Sequence, residues 1–294
     1  MQHFRITSQS SANERAVICR GPLRVSVLTP GIVRIEHDPS GQFEDRPSQH
    51  FWNRAQPVPE FTATEENGDL MLATSRLLLR IPLAAVPTPD NVFISADPVD
   101  ATGPRPVASC GPSNLGGCLR TLDTVRGRWD YKEGKTVHPS PGLMARDGWT
   151  WLDDSESLVF DADGFLTPRR PGASDWYVLA CGRDYAGALR DYHAVAGPPP
   201  LLPRWVLGLW WSKWEPYRQA DLEQIVSDFE SHGVPLSVCV VDMDWHLPGW
   251  TGYTWNKEFF PDPRRFLEGL HRRGVHACLN LHPASGIGPH ARAY

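Results

Sequence analysis

The 294-residue chain is poor in several features that would each fix a function class. No run approaches 18 consecutive apolar residues, which excludes a membrane-spanning helix at the level of sequence. The amino terminus, MQHFRITSQSSANER, lacks the apolar stretch of a secretory leader, so a cytoplasmic location is expected. There is no basic surplus: 29 Lys and Arg stand against 34 Asp and Glu, a net charge of −5 and an isoelectric point near 6.1. Neither nucleic acid nor an anionic membrane is expected as a partner, and a small or neutral ligand is. The cysteines (Cys19, Cys110, Cys118, Cys181, Cys239 and Cys278) show no metal or redox spacing, so they read as reduced, small apolar residues. No pair of histidines at i, i+4 suggests a metal helix, and no cofactor is expected.

What the chain does have is 12 Trp and 28 Pro, with many of the tryptophans near Pro and Gly. Aromatic rings in such places suit stacking on flat apolar faces, sugars among them, and equally suit a partly buried core. Up to about residue 180 the pattern has period two, in LRVSVL, GIVRIEHD, DLMLATSRLLLRIPL, NVFISAD and DWYVLACG, punctuated by Gly, Pro, Asn and Asp. Short alternating segments without helical periods between them predict an antiparallel β-sandwich or barrel for the first domain, residues 1–197. A Gly/Pro/Asp-rich stretch from about 104 to 157, with several Trp and Tyr, reads as a functional loop.

The period then changes to 3.6. DYAGALRDYHAVAG predicts a helix capped by Asp184, with Tyr185, Leu189 and Tyr192 on one stripe and Gly197 as its stop. The proline run GPPPLLPRW follows as a stiff linker. Beyond it, over 198–294, strand, helix, strand, helix and strand alternate: WVLGLWW, ADLEQIVSDFESHG, PLSVCVVDMD, DPRRFLEGLHRRG with Asp262 as cap and Pro263 at N1, and VHACLNLHP. Such an order predicts a parallel sheet, either a barrel or doubly wound, whose chemistry gathers at the carboxyl ends of its strands. Those ends read WWSKW, DMDWH and NLHP, and in an extended strand Asp242, Asp244 and His246 would point to one side. Two carboxylates and an imidazole there could hold a metal ion, although the spacing does not favour it.

The blocks GRDYAGALRDYHAVAGPPPLLPRWVLGLWWSKW, VPLSVCVVDMDWH and WNKEFFPDPRRFLEGLHRRGVHACLNLHP, in this order, resemble the opening of the catalytic barrel of glycoside hydrolase family 31. The resemblance implies an N-terminal β-sandwich followed by a (β/α)8 TIM barrel that cleaves α-glycosidic bonds with retention, using an aspartate nucleophile and an aspartate acid/base. It implies a sugar-binding role for Asp242, an apolar wall at Met243, an aromatic lining at Trp214 and pocket-lining roles for Asn280 and His282. His282 stands where many family members carry aspartate, a departure that bears on the substrate. About 90 residues follow the linker, against about 200 or more for a whole barrel, so three βα units of an incomplete barrel are expected. The catalytic aspartates are then expected beyond Tyr294, and the chain alone is expected to be inactive. The function implied is the N-terminal part of a retaining α-glycosidase of carbohydrate metabolism, α-glucosidase type favoured. The alternatives are a transglycosidase of the same machinery, or a non-catalytic carbohydrate-binding fragment.

Overall fold

The computed structural model describes residues 7–96, 103–117, 140–247 and 252–282. The chain divides into two compact units, Met1–Pro199 and Pro200–Tyr294.

The first unit is built on two five-stranded antiparallel sheets. One holds β1 (Val17–Arg20), β2 (Leu23–Thr29), β3 (Ile32–His37), β9 (Trp149–Asp153) and β12 (Ser174–Ala180), in the order β1-β2-β3-β12-β9. The other runs in sequence order through β4 (Phe61–Glu66), β5 (Asp69–Thr74), β6 (Leu77–Pro82), β7 (Phe93–Ala96) and β8 (Arg105–Pro106). A small hairpin pairs β10 (Val159–Phe160) with β11 (Leu166–Thr167). Alternation decides which side chains meet: Leu70 and Leu72 of β5, Leu77, Leu79 and Ile81 of β6, and Val25, Val33, Ile35 and Val178 of the other sheet share one core. The β4–β5 hairpin turns at Asn67-Gly68, both at positive φ (52° and 86°), the conformation an Asn-Gly pair adopts at little cost.

Strands β2, β3 and β12 are buried on both faces, unlike β5 and β6. Their second face carries Leu28, Ile32, Tyr177 and Leu179, covered by Phe51 and by Val195 of helix α1 (Tyr185–Ala196). Phe51 stacks on Tyr177 with ring centroids 3.7 Å apart. Asp184 caps α1 by accepting from the Gly187 N–H at 2.8 Å. The buried residues of α1 are Gly187, Ala188 and Val195, so the stripe expected from Tyr185 and Leu189 is rotated, and Leu189 is exposed. Of the stretch read as a functional loop, the described residues form β8, a 3₁₀ turn over Val107–Ser113 and β9; residues 118–139 lie outside the described ones.

Among the described residues the second unit holds three parallel strands, β13 (Trp210–Trp211), β14 (Val238–Val241) and β15 (His276–Leu279), in that order. Helix α2 (Gln219–Ser231) connects the first two and α3 (Pro263–Arg272) the last two. Leu222 and Val226 of α2 and Phe266 and Leu270 of α3 pack with Cys239 and Val241 in one core. Asp262 caps α3 by accepting from the Arg265 N–H at 3.0 Å, with Pro263 at the first turn.

The strand expected over WVLGLWW is mostly absent. Arg204–Leu207 form a 3₁₀ turn and only Trp210 and Trp211 pair with β14. Pro203 fixes the chain's approach, and the Gly208 N–H closes the turn onto the Trp205 carbonyl at 3.1 Å.

Candidate functional site

The apolar run Val238–Val241 makes β14 a strand flanked on both sides, by β13 and by β15. Parallel pairing sets Val241 opposite Leu279, so the first residues past the two strand ends, Asp242 and Asn280, come out side by side. The Asn280 side-chain Nδ2 donates to Asp242 Oδ1 at 2.7 Å, and the Met243 backbone N–H donates to the same oxygen at 2.7 Å. Asn280 also donates its backbone N–H to the Val241 carbonyl at 2.9 Å, and its own carbonyl accepts from Trp245 Nε1 at 2.7 Å. Among the described residues, the hydrogen bonds to this carboxylate all fall on Oδ1. Oδ2 keeps its acceptor capacity at a half-buried position on the rim.

Chemically, this is a fixed acceptor. One oxygen is spent on orientation, while the other can take a hydroxyl from a ligand in a charge-assisted hydrogen bond. The Asn280 carboxamide, an uncharged donor and acceptor beside it, adds directionality without adding charge.

Other expected residues fall differently. Met243 is half-buried next to Asp242. Trp214 follows β13 with its ring 76 % exposed, and His282 is exposed two residues beyond Asn280. Asp242, Asp244 and His246 do not share a side. The strand ends at Val241, and Asp244 takes φ +71°, which turns the chain and leaves its carboxylate exposed. His246 is instead buried at 1 % exposure, its Nδ1 within 2.8 Å of the Leu247 carbonyl and its backbone bridged to Trp255. Among the described residues, no three His, Cys, Asp or Glu side chains are grouped so as to hold a metal ion.

Sequence reasoning missed Trp245. It is 4 % exposed, with its ring 5.0 Å from His246 and 5.1 Å from Trp255, both edge-on. Its place between two polar residues in DMDWH was the available signal. Beneath the rim, burial pushes the Cys239 thiol up to about 11, so this cysteine is an uncharged packing group at neutral pH.

A parallel βαβαβ unit with an oriented carboxylate past its central strand is an arrangement common to parallel barrels and doubly wound sheets, both of which take ligands at the carboxyl ends of their strands. Residues 199–294 match the family description "Glycosyl hydrolases family 31 TIM-barrel domain", so this part of the chain is similar to glycoside hydrolase family 31. The chain is 27 % identical over 155 residues to an alpha-xylosidase of Saccharolobus solfataricus, covering 50 % of this chain and 20 % of that protein. It is 31 % identical over 106 residues to the human neutral alpha-glucosidase AB, covering 35 % of this chain and 11 % of that protein. In three dimensions it superposes with a TM-score of 0.64 on a GH31 alpha-xylosidase from a soil metagenome, solved in complex with xylose. That match has 15 % sequence identity and covers 95 % of this chain and 47 % of the xylosidase. The chain thus spans about half the length of this structural relative, and its match to the alpha-xylosidase covers a fifth of that protein.

Proposed function

We propose that the rim around Asp242 is the sugar-holding part of a retaining α-glycosidase site. On this reading the paired antiparallel sheets, up to about residue 197, are a β-sandwich that precedes the barrel. The three parallel strands then begin the first three βα units of a (β/α)8 barrel. The observation that carries the proposal is the Asp242 carboxylate, held at Oδ1 by Asn280 and by the Met243 N–H and, among the described residues, open at Oδ2. Such an acceptor recognises a polyol ligand: it binds a hydroxyl when one is presented and is left desolvated and unpaired when that hydroxyl is missing or inverted. Met243 supplies an apolar wall beside it, Trp214 a ring that can cover a sugar face, and His282 a polar group at the margin.

Cleavage with retention needs two carboxyl groups about 5 Å apart, one on each side of the scissile bond. With Asp242 assigned to holding the sugar, neither of those roles falls on it. The chain by itself is therefore proposed to bind sugar without turning it over. An α-glucoside is the favoured ligand. An α-xyloside is the second reading, supported by the xylosidases among the relatives in sequence and in fold. The two differ by a hydroxymethyl group, a difference an apolar pocket discriminates only by about 1–3 kcal/mol.

The test is ligand-observed NMR on the 294-residue chain with p-nitrophenyl α-D-glucoside, α-D-xyloside, α-D-galactoside and β-D-glucoside. Saturation transfer to the α-glucoside or α-xyloside, with none to the β-glucoside, is the expected result. Binding confined to the β-linked compound, or to none of the four, overturns the proposal.

A further inference from the structure

Trp245 belongs to the core of the parallel unit, yet it also reaches the rim. Its ring lies in a run of edge-on and tilted aromatic contacts, Trp245 to Trp255 at 5.1 Å, Trp255 to Phe260 at 5.3 Å and Phe260 to Phe266 of α3 at 5.4 Å. Phe260 and Phe266 are fully buried. The Trp245 backbone is held as well, its carbonyl accepting from the Asn256 N–H at 2.8 Å. The indole therefore has a fixed position, and its buried N–H must find an acceptor. The acceptor it finds is the carbonyl of Asn280, at 2.7 Å. Asn280 is gripped at three points: N–H on Val241, carbonyl on Trp245, carboxamide on Asp242.

We infer that Trp245 is a positioning residue, whose indole N–H holds Asn280 so that its carboxamide occupies Asp242 Oδ1 and leaves Oδ2 for the ligand. A tryptophan that only filled volume would be replaced by phenylalanine with a loss of packing and no change at Asn280. If the N–H is what matters, the same replacement frees the Asn280 carbonyl, and the carboxamide loses its alignment on Asp242. Oδ1 and Oδ2 then compete for the donor. The inference rests on the sugar-holding reading of the rim for its consequence, but not for the hydrogen-bond relay itself.

The experiment compares the wild-type 294-residue chain with Trp245→Phe by ¹H–¹⁵N NMR, with circular dichroism as the check on folding. In the wild type the Trp245 indole proton should exchange at least about tenfold more slowly than that of exposed Trp214, as a buried, bonded N–H does. In Trp245→Phe, with the spectrum otherwise folded, the Asn280 side-chain amide protons should lose their protection. The affinity for p-nitrophenyl α-D-glucoside should fall by roughly three- to tenfold, the size of one uncharged hydrogen bond. Unchanged Asn280 protection in a folded Trp245→Phe overturns the inference. If that variant does not fold, wild-type exchange decides: a Trp245 indole as fast as Trp214 overturns the relay and a slow one supports it. Loss of Asn280 protection in a chain that binds none of the glycosides leaves the relay standing and overturns the sugar reading instead.

Discussion

Asp175 in the first unit and Asp242 in the second are the same side chain put to opposite uses. Asp175 is 4 % exposed and bonded at both oxygens: Arg34 grips it through Nε at 2.8 Å and Nη2 at 2.6 Å, and Arg169 Nη1 adds a third contact at 2.8 Å. Burial alone would raise its carboxyl, but the Arg34 charge and hydrogen bonds, with Arg54 and Arg169 behind them, hold it well below the usual carboxylate range. Around this pair lie Glu36, Asp154 and Arg54, each nearly or fully buried. Among the described residues every buried charged side chain is in the first unit, and the one buried polar residue of the second is His246. Asp242 instead sits half-buried at a strand end, where its hydrogen bonds among the described residues leave one oxygen uncommitted. A carboxylate with both oxygens held by arginines organises the protein, whereas one that keeps an oxygen at a rim is available to a ligand.

The contrast can be broken most forcefully at Arg34. Replacing it by alanine leaves Asp175 buried without its main partner and takes from Glu36 one of its two arginines, and about 3–5 kcal/mol of stability should be lost. Chemical denaturation followed by a probe in the first unit measures this, and a loss under about 1 kcal/mol would show that the network is solvated. Because the folded-state value of Asp175 is depressed, its contribution is present above the unfolded carboxylate value, near 3.9, and is lost as pH falls toward the lower folded one.

A smaller effect is expected at Gly208. A Cβ there would lie 1.9 Å from Ser237 Oγ and 2.6 Å from its Cβ, immediately before β14. Since Ser237 Cβ is fixed to its backbone, Gly208→Ala should destabilise the second unit by about 1–3 kcal/mol, read as a lowered denaturation midpoint for a probe in that unit. An unchanged midpoint would show that the turn ahead of β13 can shift without strain.

The smallest effect concerns His50, which is half-exposed and 3.0 Å from Asp154 Oδ1. That hydrogen bond raises its value above the ordinary 6.5. The stabilising contribution is therefore complete below 6.5 and fades as pH rises through the folded-state value. An NMR titration of His50 should show a midpoint above 6.5 in the wild type, falling in Asp154→Asn.

Much of the architecture was legible because local chemistry decides it. The apolar run Val238–Val241, the cap Asp262 with Pro263, and the alternation of Leu70, Leu72, Leu77, Leu79 and Ile81 needed no information from afar. Asp242 was legible because a carboxylate ending a buried strand is unusual. Its partner Asn280 was placed at the pocket, but their contact depends on the register Val241 to Leu279, which a sequence does not display. The shared side expected for Asp242, Asp244 and His246 failed at one residue, where Asp244 enters the left-handed region. Arg34 and Asp175 were illegible for another reason: on alternating strands they resemble solvent-facing positions, and only pairing across 141 residues makes their burial tolerable.

The most direct measurement is isothermal titration of p-nitrophenyl α-D-glucoside and α-D-xyloside into the wild-type chain and Asp242→Asn. Asparagine can retain an acceptor oxygen toward Asn280 and the Met243 N–H while replacing the open Oδ2 with an amide donor. Loss of a charge-assisted hydrogen bond costs about 1.5–3 kcal/mol, so the affinity for the bound glycoside should fall about 10- to 150-fold with circular dichroism unchanged. An affinity within twofold of wild type in the folded variant would contradict the assignment of Asp242 as the group that holds the sugar.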